Sequence, residues 1–215
     1  MNVLVVSAHH DDLELGCGGT VGRLIECGHR VTSLVLCHSG YCDAKGAVVR
    51  SREDALLEGR NAAVTLGYDL VSHEEDTFDL SVSDANIRRI LDAITGRGID
   101  TVFTHWAGDT HPVHQRVATM VMQACRRVPR VFGFAVNWYV GSAPFHPTTY
   151  LALEERHWQR KVRALACYAT EYVRTGAGWV DYMDRQTRQH GLQIGVPRAE
   201  AFVTIKNLMD VGMCA

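Results

Sequence analysis

The chain has 215 residues, a formal net charge of -2, 47% apolar residues and 21% charged ones. At this length one core buries roughly 70–75% of the unfolded surface without help from disulfides, and the near-neutral charge gives no reason to expect nucleic acid or an anionic membrane as partner. The seven cysteines (17, 27, 37, 42, 125, 167 and 214) contain no Cys-x-x-Cys pair, which argues against a structural zinc knuckle or a disulfide scaffold. No basic segment with an apolar run opens the chain, and no stretch nears the ~18 apolar residues needed to span a bilayer. The expectation is a cytoplasmic protein that takes a small molecule and no membrane, with a homo-oligomer compatible with the sequence.

Residues 2–8, with Val3-Leu4-Val5-Val6, read as a buried strand, and Gly19 to Cys27 as a helix that Gly28 stops. A strand at Arg30–Cys37 leads through a loop as far as Gly46 to a helix over Ser51–Leu66, with Ala62 and Ala63 on its close-packed side and Gly67 as C-cap. Asp84 is expected to cap a third helix carrying Ile87, Ile90, Leu91 and Ile94 at 3–4 spacing, before a strand at Ile99–Thr104. A helix near Val113–Arg126 and a strand at Val131–Val136 follow. The C-terminal part shows a Pro/Gly-marked segment at 141–147, a helix near Leu153–Ala169 and an extended stretch at Ala199–Ile205. Its basic group, Arg156, Arg160, Lys161 and Arg163, reads as a solvated helix face. Alternating strands and helices imply an α/β fold with a mostly parallel, doubly wound sheet and helices on both faces. One domain over 1–215, elaborated from about 137, is expected.

The chemistry concentrates in His9-His10-Asp11-Asp12 and in the segment from His105 to His114, both directly after expected strands. Doubly wound sheets bring such loops to one edge, beyond the carboxyl ends of the strands. His9 and Asp12, three apart, share a face if the loop winds into a helical turn, and can chelate one ion. Asp11 then points away and is placed to take a proton from an activated water. His111 and His114, also three apart, offer one further ligand and one imidazolium to face the substrate carbonyl. Two histidines and a carboxylate with an open position match a catalytic zinc site, though iron, cobalt or manganese also suit mixed N/O ligands. Singly, the pieces have plainer explanations: a His-His pair decorating a loop, an Asp-Asp pair capping a helix. Gly16, Gly18 and Gly19 do not match a dinucleotide loop and read as close packing.

Ala8-His9-His10-Asp11-Asp12-x-Glu14-x-Gly16-x-Gly18-Gly19-Thr20 is similar to the Ala-His-Pro-Asp-Asp signature of the PIG-L/LmbE-like deacetylases. Asp109-Thr110-His111-Pro112-Val113-His114 resembles their Asp-x-His-x-Asp-His motif. Weaker echoes include Glu58, Ala62-Ala63 and Leu66-Gly67, then Phe145-x-Pro147-Thr148, Lys161 through Tyr168, and Ala199-Glu200-Ala201-Phe202. The resemblance implies a Rossmann-like fold and zinc-dependent removal of an N-acyl group, usually acetyl, from an N-acetylglucosamine-type conjugate. It implies His9, Asp12 and His114 as metal ligands and Asp11 as general base, which leaves His111 as the remaining histidine facing the substrate carbonyl, the second catalytic group. An arginine ahead of Leu-Gly grips substrate in such proteins, and Arg52, about one turn early, is the nearest match. Two residues depart from the pattern. His10 replaces proline beside the site, and Val113 replaces an aspartate that tunes the neighbouring histidine, so His111 is expected to be less basic unless Asp109 supplies the charge. The competing readings are a non-catalytic sugar- or nucleotide-binding Rossmann module, which would carry no stoichiometric zinc, and a family member that hydrolyses a different amide.

Overall fold

In the computed structural model, which describes residues 1–208 apart from 138, 140 and 142, the backbone alternates strand and helix as far as residue 134. The elements are β1 (Asn2–Ser7), α1 (Asp12–Glu26), β2 (Arg30–Cys37), β3 (Tyr41–Cys42), β4 (Val48–Arg50), α2 (Arg52–Leu66), β5 (Asp69–Glu75), α3 (Asp84–Gly96), β6 (Thr101–His105), α4 (Pro112–Ala124) and β7 (Arg130–Phe134). Then come β8 (Thr149–Ala152), α5 (Glu155–Leu165), α6 (Ala169–Thr175), α7 (Gly178–Gln193) and β9 (Ala199–Asn207).

Seven strands form one sheet in the order β5-β2-β1-β6-β7-β9-β8, parallel from β5 to β7 and antiparallel at β9 and β8. β1 is the hinge of this order, because the chain winds outward through β2 and β5 on one side and through β6 and β7 on the other. The crevice beyond β1 and β6 is therefore the topological switch point, where doubly wound sheets hold ligands. Side chains alternate along β1: Val3 and Val5 enter the apolar layer under α1, α2 and α5, while Leu4 and Val6 enter the layer under α3 and α4. Burial on both faces explains why this strand is an unbroken apolar run.

Several boundaries differ from the sequence expectation. Ser83, not Asp84, caps α3: its hydroxyl accepts the Asn86 N–H, and Asp84 is the first helical residue. Helix α1 starts at Asp12 rather than Gly19 and breaks at Cys17 (φ -148°, ψ 20°). The break has an identifiable cause. Gly19 N–H, which would continue the ladder to Leu15, donates instead to Glu200 Oε1 at 3.0 Å, Thr20 N–H donates to Glu200 Oε2, and the freed Leu15 carbonyl accepts from Lys161 Nζ at 2.8 Å. Lys161 and Glu200 pair at 2.7 Å. Lys161 is thus 1% exposed and does not belong to the solvated face expected of it, whereas Arg156 is exposed and paired with Glu26 and Glu154. The helix expected to run to Ala169 ends at Leu165, and β3–β4, β5, β8, α6 and α7 have no counterpart in the sequence reading.

The glycines of α1 are close-packed as expected. A Cβ on Gly16 would lie 2.3 Å from the Phe134 ring, and one on Gly19 would lie 2.5 Å from Leu153. The six described cysteines are free, and Cys214 lies outside the described residues.

Candidate metal centre

The loop leaving β1 winds directly into α1, so His9 and Asp12 come onto one face, and His9 N–H donates to Asp12 Oδ2 at 2.7 Å. The loop leaving β6 delivers His114 from the first turn of α4. Pro112 occupies the first helical position there, and the His111 Nδ1 accepts the Val113 N–H. His9 Nδ1 lies 3.3 Å from His114 Nε2 and 3.5 Å from Asp12 Oδ2, while His114 Nε2 lies 3.4 Å from Asp12 Oδ1. Bonds of about 2.0–2.1 Å to a tetrahedral ion place its ligands about 3.3–3.4 Å apart. The two imidazole nitrogens lie at that spacing, and one ligand atom from each of His9, Asp12 and His114 lies within 4.8 Å of the others, so the donor set fits such an ion in its chemistry and its convergence. The electrostatics agree: burial opposes a charged His9, but the hydrogen bond and charge of Asp12, with Asp11, outweigh it and raise its pKa, so the cluster attracts positive charge. Burial also disfavours ionised Asp12, yet the surrounding histidines hold its pKa well below the usual range.

Behind this triad stand Asp109, Asn137 and His105. Asp109 Oδ2 lies 3.2 Å from His114 Nδ1, which fixes the proton on Nδ1 and leaves Nε2 as a ligand. Burial, then the charge of His105, lowers the His114 pKa to about 4, which keeps the ring neutral. Asp109 Oδ1 accepts the His111 N–H and the Asn137 amide. His105, at the end of β6, was not singled out from the sequence. It is fully buried, its Nε2 lies 3.1 Å from Asp12 Oδ2 and 3.0 Å from the Ala8 nitrogen, and its Nδ1 has no hydrogen-bond partner. His105, Asp109 and His114 also cluster, but the His105 and His114 rings stack near-parallel at 3.9 Å, so no ion lies in both ring planes. His105 therefore steadies the Asp12 carboxylate.

Asp11 occupies the N-cap position of α1 without any side-chain cap bond, which removes the simple capping explanation for the Asp-Asp pair. Its carboxylate lines a cavity of about 410 Å³ with His9, Asp12, His111 and His114. Burial raises its pKa to about 6 despite the opposing charge of Arg50. His111 is less basic than a free imidazole, through burial and then the charge of His9. The side chain of Val113 points into the apolar layer under α4, and Asp109 serves His114, so neither gives His111 a carboxylate partner.

Arg52 is 57% exposed on an outer rim beside Asp76, and the guanidinium that enters the cavity belongs to Arg50, at the end of β4. Arg50 is 2% exposed and reaches Glu58 at 3.1 Å, Glu171 at 3.5 Å and Asp11 at 4.0 Å. No periodicity marks Arg50 in the sequence, because its hairpin is short and irregular. His10 is buried facing away from the cavity: its Nε2 meets Ser72 Oγ at 3.1 Å, and its ring lies against Gly59, where a Cβ would clash at 2.5 Å. Burial, then Arg50, lowers its pKa to about 3. Its carbonyl accepts the Tyr168 hydroxyl, whose other partner is Glu14.

A doubly wound sheet with a His/Asp/His cluster at its switch point defines an α/β protein equipped to hold a divalent ion. The sequence profile of the family described as "PIG-L: GlcNAc-PI de-N-acetylase" matches residues 4–125, more than half of the chain including both His/Asp loops, and the chain belongs to this family. It is 28% identical over 173 residues to the Escherichia coli (strain K12) protein named Uncharacterized deacetylase YaiS, covering 76% of this chain and 88% of that one. The N,N'-diacetylchitobiose deacetylase of Pyrococcus horikoshii superposes with a TM-score of 0.80 at 16% identity, over 95% of this chain and 83% of its own. GalB, the 4-carboxy-2-hydroxymuconate hydratase of Pseudomonas putida KT2440, also gives 0.80, at 18% identity over 100% of both chains. At such identities the likeness establishes the fold alone, and these two proteins carry different activities on it.

Proposed function

We propose that this chain is a zinc-dependent hydrolase that removes an N-acetyl group from an N-acetylglucosamine-type conjugate, a small molecule. The observation that carries the reading is the convergence of His9, Asp12 and His114, with one ligand atom from each within 4.8 Å of the others, beside the uncapped Asp11. When bound by these three residues, zinc supplies Lewis acidity, polarising the acyl carbonyl and acidifying water.

Asp11 takes the proton of the attacking water as that oxygen bonds to the acyl carbon, and returns it to the nitrogen as the C–N bond breaks, giving acetate and a free amine. A carboxylate raised toward neutrality by burial suits both transfers. His111 receives the Val113 N–H on Nδ1, so its proton resides on Nε2, and it donates that hydrogen bond to the developing oxyanion as a neutral ring. Arg50, tied down by Glu58 and Glu171, holds Asp11 in place. Arg52, on the outer rim, would meet only a distal part of a substrate. The test is acetate release from a panel of N-acetylglucosamine conjugates, with metal quantitation on the same preparation. Stoichiometric zinc with acetate release supports the reading, while protein without bound divalent metal favours the binding-module alternative.

A further inference from the structure

Among the described residues, Ser39 alone has a left-handed backbone without being glycine, at φ 61°. That conformation is costly for any residue with a Cβ and persists only where the surroundings over-determine it. Here they do. The His38 Nδ1 accepts the Gly40 N–H at 2.9 Å, and Gly40 sits so close to the start of α2 that a Cβ would come within 3.0 Å of the Arg52 nitrogen. Ser39 itself is buried in the wall of the cavity that holds the histidine cluster, two residues beyond β2.

Its hydroxyl has a specific place. β1 and β2 pair in parallel as far as Ser7 and Val35, and just beyond them the Cys37 N–H donates to the Ala8 carbonyl at 3.0 Å. The next bond of a parallel ladder would run from the His10 N–H to the Cys37 carbonyl. The Ser39 Oγ stands in that bond, accepting the His10 N–H at 3.1 Å and donating to the Cys37 carbonyl at 3.3 Å. One oxygen is thereby inserted where the loop parts from β2, at the residue between His9 and Asp11. The rest of His10 is fixed, because its carbonyl accepts the Tyr168 hydroxyl and its ring meets Ser72 and Gly59. Without the hydroxyl, the buried His10 N–H regains a partner only if the loop closes on Cys37, and that movement carries His9 and Asp11 with it. We infer that Ser39 is a positioning residue, whose hydroxyl spaces the His9–Asp12 loop off β2 and so sets the metal ligand and the base toward the cavity. The inference rests on the proposed zinc site and on Asp11 as base, and is independent of which acyl conjugate is cleaved.

Ser39→Gly and Ser39→Ala both delete the hydroxyl, but only glycine also relieves the left-handed backbone, so Ser39→Gly should melt above Ser39→Ala. Zinc affinity, measured by competition against a chelator, should nevertheless fall about tenfold in both. Cobalt in place of zinc should show displaced d–d absorption bands in both variants, because the His9 ligand has moved. In acetate release, kcat should fall in both with KM little changed, since the hydroxyl is engaged by backbone and not by substrate. Native zinc affinity and native cobalt bands in Ser39→Gly overturn the proposal, because the hydroxyl then serves the fold alone. Zinc affinity that recovers from Ser39→Ala to Ser39→Gly in step with the melting temperature overturns it in the same way. Native protein that binds zinc but releases acetate from no conjugate sinks the deacetylase reading, and the zinc and cobalt measurements still decide for or against Ser39. Acetate release with zinc affinity and kcat unchanged in both variants sinks the role of Ser39 and leaves the deacetylase reading standing.

Discussion

Two buried polar clusters lie within α1 of each other, and they are built on opposite rules. Around the helix break, Lys161 reaches Leu15 and Glu200, both Glu200 oxygens accept backbone N–H groups, and the two Glu14 oxygens accept the Tyr68 and Tyr168 hydroxyls. Every one of those side-chain atoms is partnered. At the switch point the accounts stay open: His9 and His114 turn nitrogens toward each other, His105 leaves one nitrogen unpartnered and holds the other against both a carboxylate and an N–H, only one of which it can satisfy, and Asp11 caps nothing. Buried polar groups left unpaired cost free energy, so a fold retains them where something else completes them. The closed cluster holds the backbone in a shape, and in the proposed function the open one is completed by an ion, a water and a substrate.

The sharpest way to break this contrast is to change one group in each cluster. Asp11→Asn should keep its metal and lose about 10²–10⁴ in kcat, the range for removing acid–base catalysis, with little change in melting temperature. Metal quantitation beside initial rates checks it, and near-normal turnover would put the base elsewhere. Lys161→Met should do the reverse, destabilising the fold by about 3–5 kcal/mol because Glu200 is left buried and uncompensated. Adding Glu200→Gln to Lys161→Met should recover part of that loss in urea melts. If the double variant is no more stable than the single one, the pair is not a charge-compensated unit.

How far the sequence reveals these clusters follows from the range of the interactions. The strands β1, β2, β6 and β7 are legible because a strand buried on both faces must be continuously apolar, and both His/Asp loops are legible because they follow such strands directly. Strand β5 is obscured because its sequence, Asp69 to Glu75, is half-exposed and polar at the sheet edge. The break at Cys17 is invisible locally, since its cause is Lys161 and Glu200 from more than 140 residues away. Arg50 is hidden for the same reason, as its partners Glu58 and Glu171 come from two helices. His105 carries a usable signal, being the last residue of a buried strand that ends at the site. Lys161 and Glu200 are visible as motif echoes, but their joint task at the α1 kink needs the tertiary structure, as does the contact of Tyr168 with His10 and Glu14.

A smaller effect should come from the groups that orient the open cluster. Asp109→Asn keeps an acceptor for the His111 N–H and removes the charge beside His114 Nδ1, so metal affinity should fall about 10–100-fold. Competition against a chelator of known affinity measures this, and an unchanged constant would show that Asn137 or solvent fixes the His114 tautomer instead.

A further effect lies in the closed cluster and concerns pH. Burial is the leading cause that raises the Glu14 pKa to about 7, against a hydrogen bond from Tyr68 that pulls it down. A folded-state pKa above the unfolded value of 4.5 means that the folded protein binds the proton more tightly. The resulting stability is fully present below about pH 4.5 and is lost as pH rises through about 7. About 2–3 kcal/mol of stability should therefore disappear between pH 5 and pH 8. Glu14→Gln presents a neutral amide to the same two tyrosines and has no proton to lose, so its stability should be flatter over that window. Urea melts at both pH values, on zinc-loaded and chelator-treated protein, compare the slopes. A native slope retained in Glu14→Gln would assign the pH dependence to the open cluster, and both clusters would then titrate where only one is expected to.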